Sequence, residues 1–413
     1  MLSQETSPLS RRLPPLVLLL LAGSGLLSAL RFMVLPFFAL FLRLDLGASP
    51  ATIGMVVGLG ALAGLASAPI LGPLSDRRGR KPMLLAGTIT TSLAIAALAV
   101  VHSLVAFALL NVVMGAAFGL EGTSYQALIT DLTPEEGRAR VFGYSYWTAN
   151  VGAAIGPLLG TLAGAGRTVT PFLIAGAASL VLAALFYVLL PRSVGQAPSA
   201  HGSTRASFGH LLEGIRMPIL AGFLVGVFFA STAYSQVSTN LAEFLGTAYA
   251  DGPRLYAVVI ATNAATVLVL QPFLSRWQER RPLLWSLLAG TGIYAVMSAV
   301  FSLDRAWLSW IATMVGFTVG EVLLSPSQQA IIAAVAPADR RATYFTLLSV
   351  SWSLASFVGP LVGGVALGFG RLPLFLLMAG ANALALLTYL LTLTRDPRLS
   401  RPPGWEVTPP ASP

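Results

Sequence analysis

Apolar residues run along this chain in long blocks, and polar residues fall between the blocks instead of alternating within them. The stretches near 16–42, 52–74, 83–101, 104–130, 141–163 and 171–191 are predominantly apolar. So are those near 218–245, 255–274, 283–302, 306–333, 343–368 and 373–394. A helix apolar all round is buried in protein or in lipid, and a bilayer core about 30 Å thick needs roughly 20 such residues. Twelve blocks predict twelve transmembrane helices, spans 1 to 12, with spans 3 and 4 divided at His102-Ser103. The fold class is therefore an all-α membrane protein.

One long polar segment interrupts the pattern, from Pro191-Arg192-Ser193 through Ser203, Arg205, Ser207 and His210. It divides the chain into an N-terminal six-helix unit (1–191), a cytoplasmic linker (192–217), a C-terminal six-helix unit (218–395) and a cytoplasmic tail (396–413). The units echo each other. Leu74-Ser75-Asp76 and Arg80-Lys81-Pro82 recur 200 residues later as Leu274-Ser275-Arg276 and Arg280-Arg281-Pro282. Pro134 to Arg138 matches Pro337 to Arg341, and Gly156-Pro157 matches Gly359-Pro360, both offset by 203. Repeated halves around a midplane site are typical of secondary transporters.

Composition agrees with lipid burial: 55% of residues are hydrophobic and 10% charged, against about 25% charged in soluble domains. The net charge of +9 suggests nucleic acid only until its distribution is read. Nineteen of the 25 basic residues fall in the terminal and alternate inter-span segments, five in the others, and Arg31 lies within span 1. That asymmetry is the positive-inside bias. It predicts both termini in the cytoplasm and contact with anionic lipid, with no nucleic-acid partner. Arg11-Arg12 and the Leu-rich run behind it resemble a signal peptide, but the run reaches Leu42, longer than an h-region; it is read as a retained span 1. The single lysine among many arginines, with abundant Ala, Gly and Pro, fits a bacterial cytoplasmic membrane.

The loop Gly72-Pro73-Leu74-Ser75-Asp76-Arg77-Arg78-Gly79-Arg80-Lys81-Pro82 packs four basic residues and one acid between two apolar blocks. It resembles the G-x-L-x-D-R-x-G-R-K/R signature of the major facilitator superfamily. Asp131-Leu132-Thr133-Pro134-Glu135-Glu136-Gly137-Arg138 is similar to the D-x-x-P-x-E-x-R loop of that family, and Gly152-x-x-x-Gly156-Pro157-x-x-Gly160 to its antiporter motif in helix 5. The resemblance covers about residues 15–395 and is nearest to the twelve-span drug:proton antiporter group. It implies two pseudo-symmetric six-helix bundles that alternate access to a central site, working as a monomer. One departure stands in span 4, where that group often carries arginine in R-x-x-x-G and this chain has Asn111. The resemblance implies that Asp76 meets the start of span 11 near Ala342 and that Arg80 pairs with Asp131. A carboxylate at a helix N-terminus also suits the macrodipole, while Gly72 and Gly79 permit close approach and a tight turn. Gly156-Pro157 and Gly359-Pro360 either bend their helices or let them pack closely.

Ionisable residues deep in spans mark transport chemistry, because burying them in lipid is costly. Here they are Arg31 in span 1, Glu121 in span 4, Glu243 in span 7 and Glu321 in span 10. At 1.5 Å per residue Glu121 lies roughly 15 Å from Asp131, near mid-membrane. Arg31 and Glu121 are placed to pair, whereas Glu321 has no basic partner at its depth; the proton-coupling candidates are Glu121, Glu321 and Arg31. Gln236, Thr239, Asn240 and Glu243 share one face of span 7, with Tyr234 beside it, and are expected to look into the cavity. Tyr125, Trp147, Asn150, Gln328 and Trp352 complete the substrate-cavity candidates, while Trp307 and Trp310 read as interfacial anchors.

A largely apolar, aromatic chamber with few polar anchors suits amphipathic organic molecules. The leading expectation is proton-coupled efflux of such compounds; the alternatives are an exporter or importer of a polar metabolite such as a sugar, and a non-transporting receptor. An enzyme is not expected. There is no cysteine, His102, His201 and His210 fall in loops without metal-ligand spacing, and no G-x-x-x-x-G-K-[ST] loop surrounds Lys81. No metal or other cofactor is implied; the partners are a small-molecule substrate, protons and lipid.

Overall fold

The computed structural model describes residues 13–191, 216–278, 281–336, 341–394, 396 and 399; within its helices the side chains of 68–70, 72, 73, 75–77, 135–140 and 341–343 lie outside that description. Among the described residues twelve helical spans follow one another. The first six are Pro15–Leu44, Pro50–Arg78, Arg80–Leu98, Leu104–Leu132, Glu135–Leu162 and Thr170–Leu189. The second six are Pro218–Ala248, Gly252–Gln278, Leu283–Val300, Trp307–Val335, Arg341–Gly368 and Arg371–Leu393. Eleven are long and apolar enough to cross a membrane by themselves; the 28-residue Glu135–Leu162 supplies the twelfth. The linker at 192–215 and most of the tail fall outside the described residues.

Local chemistry explains most boundaries. Spans 1, 6 and 7 begin with proline in the first turn, where a missing N–H costs nothing. Ser103 caps span 4, its hydroxyl accepting from the Ala106 amide. Spans 2 and 3 are joined by Gly79 alone, at φ 94°, a left-handed value that favours glycine. Just past that turn Lys81, the only lysine in the chain, is buried and donates from Nζ to the carbonyls of Tyr187 and Leu190. It thereby satisfies backbone oxygens left open at the end of span 6.

Two spans are not the continuous helices that their apolar runs predict. Span 1 breaks at Met33–Val34 into a 3₁₀ turn, Leu35–Phe37, because Pro36 cannot donate to the helical ladder. Span 7 breaks at Thr239, φ −122° and ψ −74°, with neither glycine nor proline there. Its outer piece, Asn240–Ala248, packs against the outer piece of span 1.

Each half has its own aromatic core, with Phe38, Phe41, Phe107 and Phe172 in the first. Phe301, Trp310, Phe317 and Phe375 form the core of the second. Trp310 is 0% exposed, stacks on Phe301 and donates its indole N–H to the Tyr249 hydroxyl at 3.0 Å. It is a core residue rather than the interfacial anchor expected; Trp307, three residues earlier, is exposed.

The turns at 79, 133–134 and 281–282 mark the arginine-rich end, and those at 45–49, 163–169, 249–251, 301–306 and 369–370 the arginine-poor end. The halves meet at the second. A Cβ on Gly54 would sit 2.0 Å from the Pro360 carbonyl, and one on Gly364 2.1 Å from that of Pro50, so spans 2 and 11 touch backbone to backbone. Phe37 meets Tyr256 edge-on there. Two ion pairs cross the same seam, Arg43 to Glu243 at 4.0 Å and Arg167 to Asp251 at 3.3 Å.

Candidate functional site

Between the halves, behind that seal, lies a cavity of about 490 Å³. Phe32, Phe38, Val57, Met114, Phe118 and Trp352 supply its apolar wall, and Asn111, Ser231, Ser238, Thr239 and Ser356 its polar atoms. Among the described residues no charged side chain lines it. Tyr234 and Trp352, two of the cavity candidates read from the sequence, are also among its lining residues.

A second, small cavity of about 30 Å³ adjoins the first through Ser231, Tyr234 and Trp352 and holds Glu321, Ser325 and Gln328. That is room for a water beside a carboxylate. A third, of about 390 Å³, shares Ser325, Gln328 and Trp352 with the second and continues past Gln329, Phe345 and Ser349. Trp352 borders all three. Residues 325–329 and 345–349 lie on the side of the membrane nearer the arginine-rich end, so the cavities lead that way.

Glu321 is held by two neutral donors. Tyr234 donates its hydroxyl to Oε1 at 3.2 Å, and Asn263 of span 8 donates Nδ2 to Oε2 at 2.7 Å. Asn263 Nδ2 also donates to Thr318 Oγ1 at 2.9 Å. Sequence reasoning missed Asn263. Its signal was a lone amide in an apolar stretch of span 8, facing Thr318 and Glu321, one turn apart on span 10. The Tyr234 ring is held against Tyr294 and Phe317 and edge-on to Trp352.

In the first half Arg31 NH2 lies 2.5 Å from Glu121 Oε1, as the sequence suggested. The guanidinium sits over the Phe118 ring, 3.8 Å from its centre, a cation–π contact. Phe118 thus stands between this ion pair and the cavity it lines. The second Glu121 oxygen and Arg31 Nε have no hydrogen-bond partner among the described residues.

At the arginine-rich end Arg80 NH1 reaches Asp131 Oδ2 at 2.5 Å and the Ala127 carbonyl at 2.8 Å, tying span 3 to span 4. Gly72 and Asp76 sit within the helix of span 2, but their side chains lie outside the described residues, as does Ala342. Span 5 continues past Pro157 as one helix. A Cβ on Gly152, Gly156 or Gly160 would meet the carbonyl of Gly25, Ala29 or Met33 at 2.2, 2.6 and 2.4 Å. The motif therefore seats span 5 on span 1 by close backbone approach.

The polar stripe of span 7 departs from expectation. Gln236 donates to the Gly359 carbonyl at 2.7 Å, and Asn240 donates to Gln236 and to the Pro360 carbonyl. Both are buried and turn to span 11, outside the cavity lining; only Thr239 of the stripe lines it. Glu243, 2% exposed, lies in the seam with Arg43 and not in the cavity. Polar atoms on this face needed partners away from lipid, and a neighbouring backbone supplied them. Tyr125 donates to the Leu20 carbonyl, bridging spans 4 and 1, and Asn150 bonds back to Tyr146 of its own helix. Neither they nor the exposed Trp147 line the central cavity. Gln328 lines the second and third cavities and donates to the Tyr389 hydroxyl.

The sequence profile of the Major Facilitator Superfamily matches residues 20–320 and, again, 223–412. The chain belongs to that superfamily. It is 29% identical over 364 residues, 86% of this chain and 88% of the relative, to the MFS-type transporter YqjV of Bacillus subtilis. Identity is 24% over 406 residues, 90% of this chain and 94% of the relative, with a Na(+), Li(+), K(+)/H(+) antiporter of Planococcus maritimus. It is 23% over 361 residues, 84% and 87% of the two chains, with the quinolone resistance protein NorA of Staphylococcus aureus. The crystal structure of the nucleoside transporter NupG superimposes with a TM-score of 0.76 at 16% identity, covering 93% of this chain and all of that one, a likeness of fold. This member of the superfamily is a multi-pass membrane transporter, not an enzyme. Its all-helical, two-bundle architecture is the one that the loop motifs implied.

Proposed function

We propose that this transporter exports amphipathic organic compounds in exchange for protons, by alternating access. The observation that carries the reading is the pairing of an uncharged, aromatic cavity with an adjoining carboxylate, Glu321, that has no cationic partner among the described residues. A ligand held by apolar contact needs few fixed polar anchors. A carboxylate satisfied by neutral donors alone can gain or lose a proton without breaking an ion pair. Glu121 with Arg31 serves as a second, switchable site, and Arg80 with Asp131 as a brace at the inner gate. Positive-inside bias supports a cytoplasmic arginine-rich end, and in this reading the conformation is inward-open. Support comes from the NorA relative, named for resistance to an organic compound class, and from the Planococcus relative, named for exchange of cations with protons.

Proteoliposomes with an imposed pH gradient test this. Ethidium, a lipophilic cation, is expected to discharge the gradient, and Glu321→Gln or Glu121→Gln to reduce the discharge about tenfold or more. Undiminished coupled transport in both variants, or no discharge by any lipophilic compound, would reject the reading. Sodium and potassium ions form the second arm, since the Planococcus relative is named for them and the Glu321 cavity offers oxygen ligands from Ser231, Ser325 and Gln328. Discharge by those ions alone would move the assignment to inorganic cations.

A further inference from the structure

Asn263 and Tyr234 hold the two oxygens of Glu321 in chemically different ways. The Thr318 hydroxyl donates to the Met314 carbonyl at 2.7 Å, so its oxygen can only accept from Asn263. Asn263 must therefore turn its NH2 group inward, and both hydrogens are used, one on Thr318 and one on Glu321 Oε2. It offers Glu321 no acceptor. A phenol hydroxyl, by contrast, can donate or accept. Tyr234 also lines both the central cavity and the small cavity of Glu321, with its ring clamped by Tyr294, Phe317 and Trp352.

We infer that Tyr234 is the group through which Glu321 exchanges its proton, and that it links that proton to occupancy of the central cavity. The inference rests on the proton-coupled reading above. With Glu321 ionised, the Tyr234 O–H points at Oε1. With Glu321 protonated on Oε1, that O–H donates to Oη, and the hydrogen of Tyr234 turns toward the cavities. In release, the proton on Oε1 passes to Oη while the hydrogen of Oη passes to a water in the cavity. Glu321 is left as carboxylate, Tyr234 as a neutral phenol donating to it again, and the water as hydronium; one proton has moved and nothing is oxidised. A ligand seated against Tyr234 displaces that water, so ligand and departing proton compete for one hydroxyl. The titratable groups facing Glu321 are Tyr234 from span 7, Tyr294 from span 9 and Tyr146 from span 5; no Lys, Arg or His does so among the described residues.

Tyr234→Phe removes one oxygen and leaves the ring packing in place. In proteoliposomes its gradient-driven transport is expected to fall at least about tenfold further than its ethidium–ethidium exchange at equal pH, with a flattened pH profile. Asn263→Ala, which removes an anchor but not the path, is expected to slow transport and keep the proton-to-ethidium ratio. The infrared band of the protonated carboxyl, assigned by its loss in Glu321→Gln, should shift in Tyr234→Phe protein without any substrate. Coupling retained by Tyr234→Phe, or the ratio lost equally in both variants, overturns the inference. Absence of gradient-driven transport in the unsubstituted protein overturns the proton-coupled reading itself, and this inference with it.

Discussion

Arg31 and Glu121 close to 2.5 Å between spans 1 and 4, inside one half of the molecule, with the Phe118 ring beneath the guanidinium. The pair is mostly buried, so each charge depends on the other for compensation.

Removing one partner should therefore cost more than removing both. Glu121→Gln or Arg31→Gln alone is expected to destabilise the protein by about 2–4 kcal/mol, less than a fully buried pair because Arg31 keeps some exposure. The double variant should recover at least half of that. Thermal unfolding in detergent reads the cycle; additive losses would show that the two side chains do not act as a pair.

The seam at the arginine-poor end is joined by Arg43 with Glu243 and by Arg167 with Asp251. Glu243 is buried with one oxygen unpartnered, whereas the second pair is exposed. Glu243→Gln should favour separation of the two halves there, and Arg167→Ala should change little. Spin labels on Val169→Cys and Leu303→Cys, both at exposed positions of that end, report the opening. We expect the longer-distance population to rise about threefold with Glu243→Gln, a shift of under ~1 kcal/mol. Superimposable distance distributions would remove Glu243 from the gate.

Close approach of spans 1 and 5 makes a sharp contrast between two glycines on one helix. A Cβ at Gly152 would lie 2.2 Å from the Gly25 carbonyl, while one at Gly143 meets nothing within 4 Å. Gly152→Ala is expected to cost about 1–3 kcal/mol through overpacking. Gly143→Ala should gain about 0.5–1 kcal/mol from helix propensity. Equal thermal midpoints for the two variants would contradict the packing described.

Asp304, in the turn between spans 9 and 10, is buried, and loss of hydration pushes its carboxyl above the usual range; hydrogen bonds from Thr313 and Ser309 and the charge of Arg305 oppose this. The folded chain thus holds that proton more tightly than the unfolded one, whose carboxyl titrates near about 3.9. Its contribution is complete below that pH and is lost as pH rises through the folded value. Asp304→Asn keeps an acceptor for Thr313 and cannot ionise. It should raise the thermal midpoint at pH 7 by a few degrees, roughly 1–3 °C, and flatten the pH dependence above about pH 4. A lower midpoint at pH 7 would show that the charge itself is needed there.

Spans and bundles were readable because burial in lipid demands unbroken apolar runs, and the buried ion pair because charge in such runs must be matched. Arg80 with Asp131 was implied by the family resemblance of the loop, whereas Arg31 with Glu121 follows from that demand. Gln236 and Asn240 show its limit. Polar atoms on a helix face must avoid lipid, but a cavity and the backbone of span 11 satisfy them equally, and only the packing decides. Asn263 escaped notice because a single amide in an apolar helix carries no periodicity. The break of span 7 at Thr239 has no residue signature at all, whereas Pro36 gave a usable warning for span 1. Trp310 misled because tryptophan near a span end suits a headgroup layer and a deep aromatic cluster alike.

The lone lysine beside the first loop has a practical side. Its ammonium is engaged by the carbonyls of Tyr187 and Leu190 and only 6% of the residue is exposed, while the chain contains no cysteine. Side-chain amines and thiols, the two handles that most protein-modifying reagents seek, are thus one withdrawn and the other missing. A cysteine placed anywhere on this transporter would be its sole thiol, and each probe attached there would report from one address.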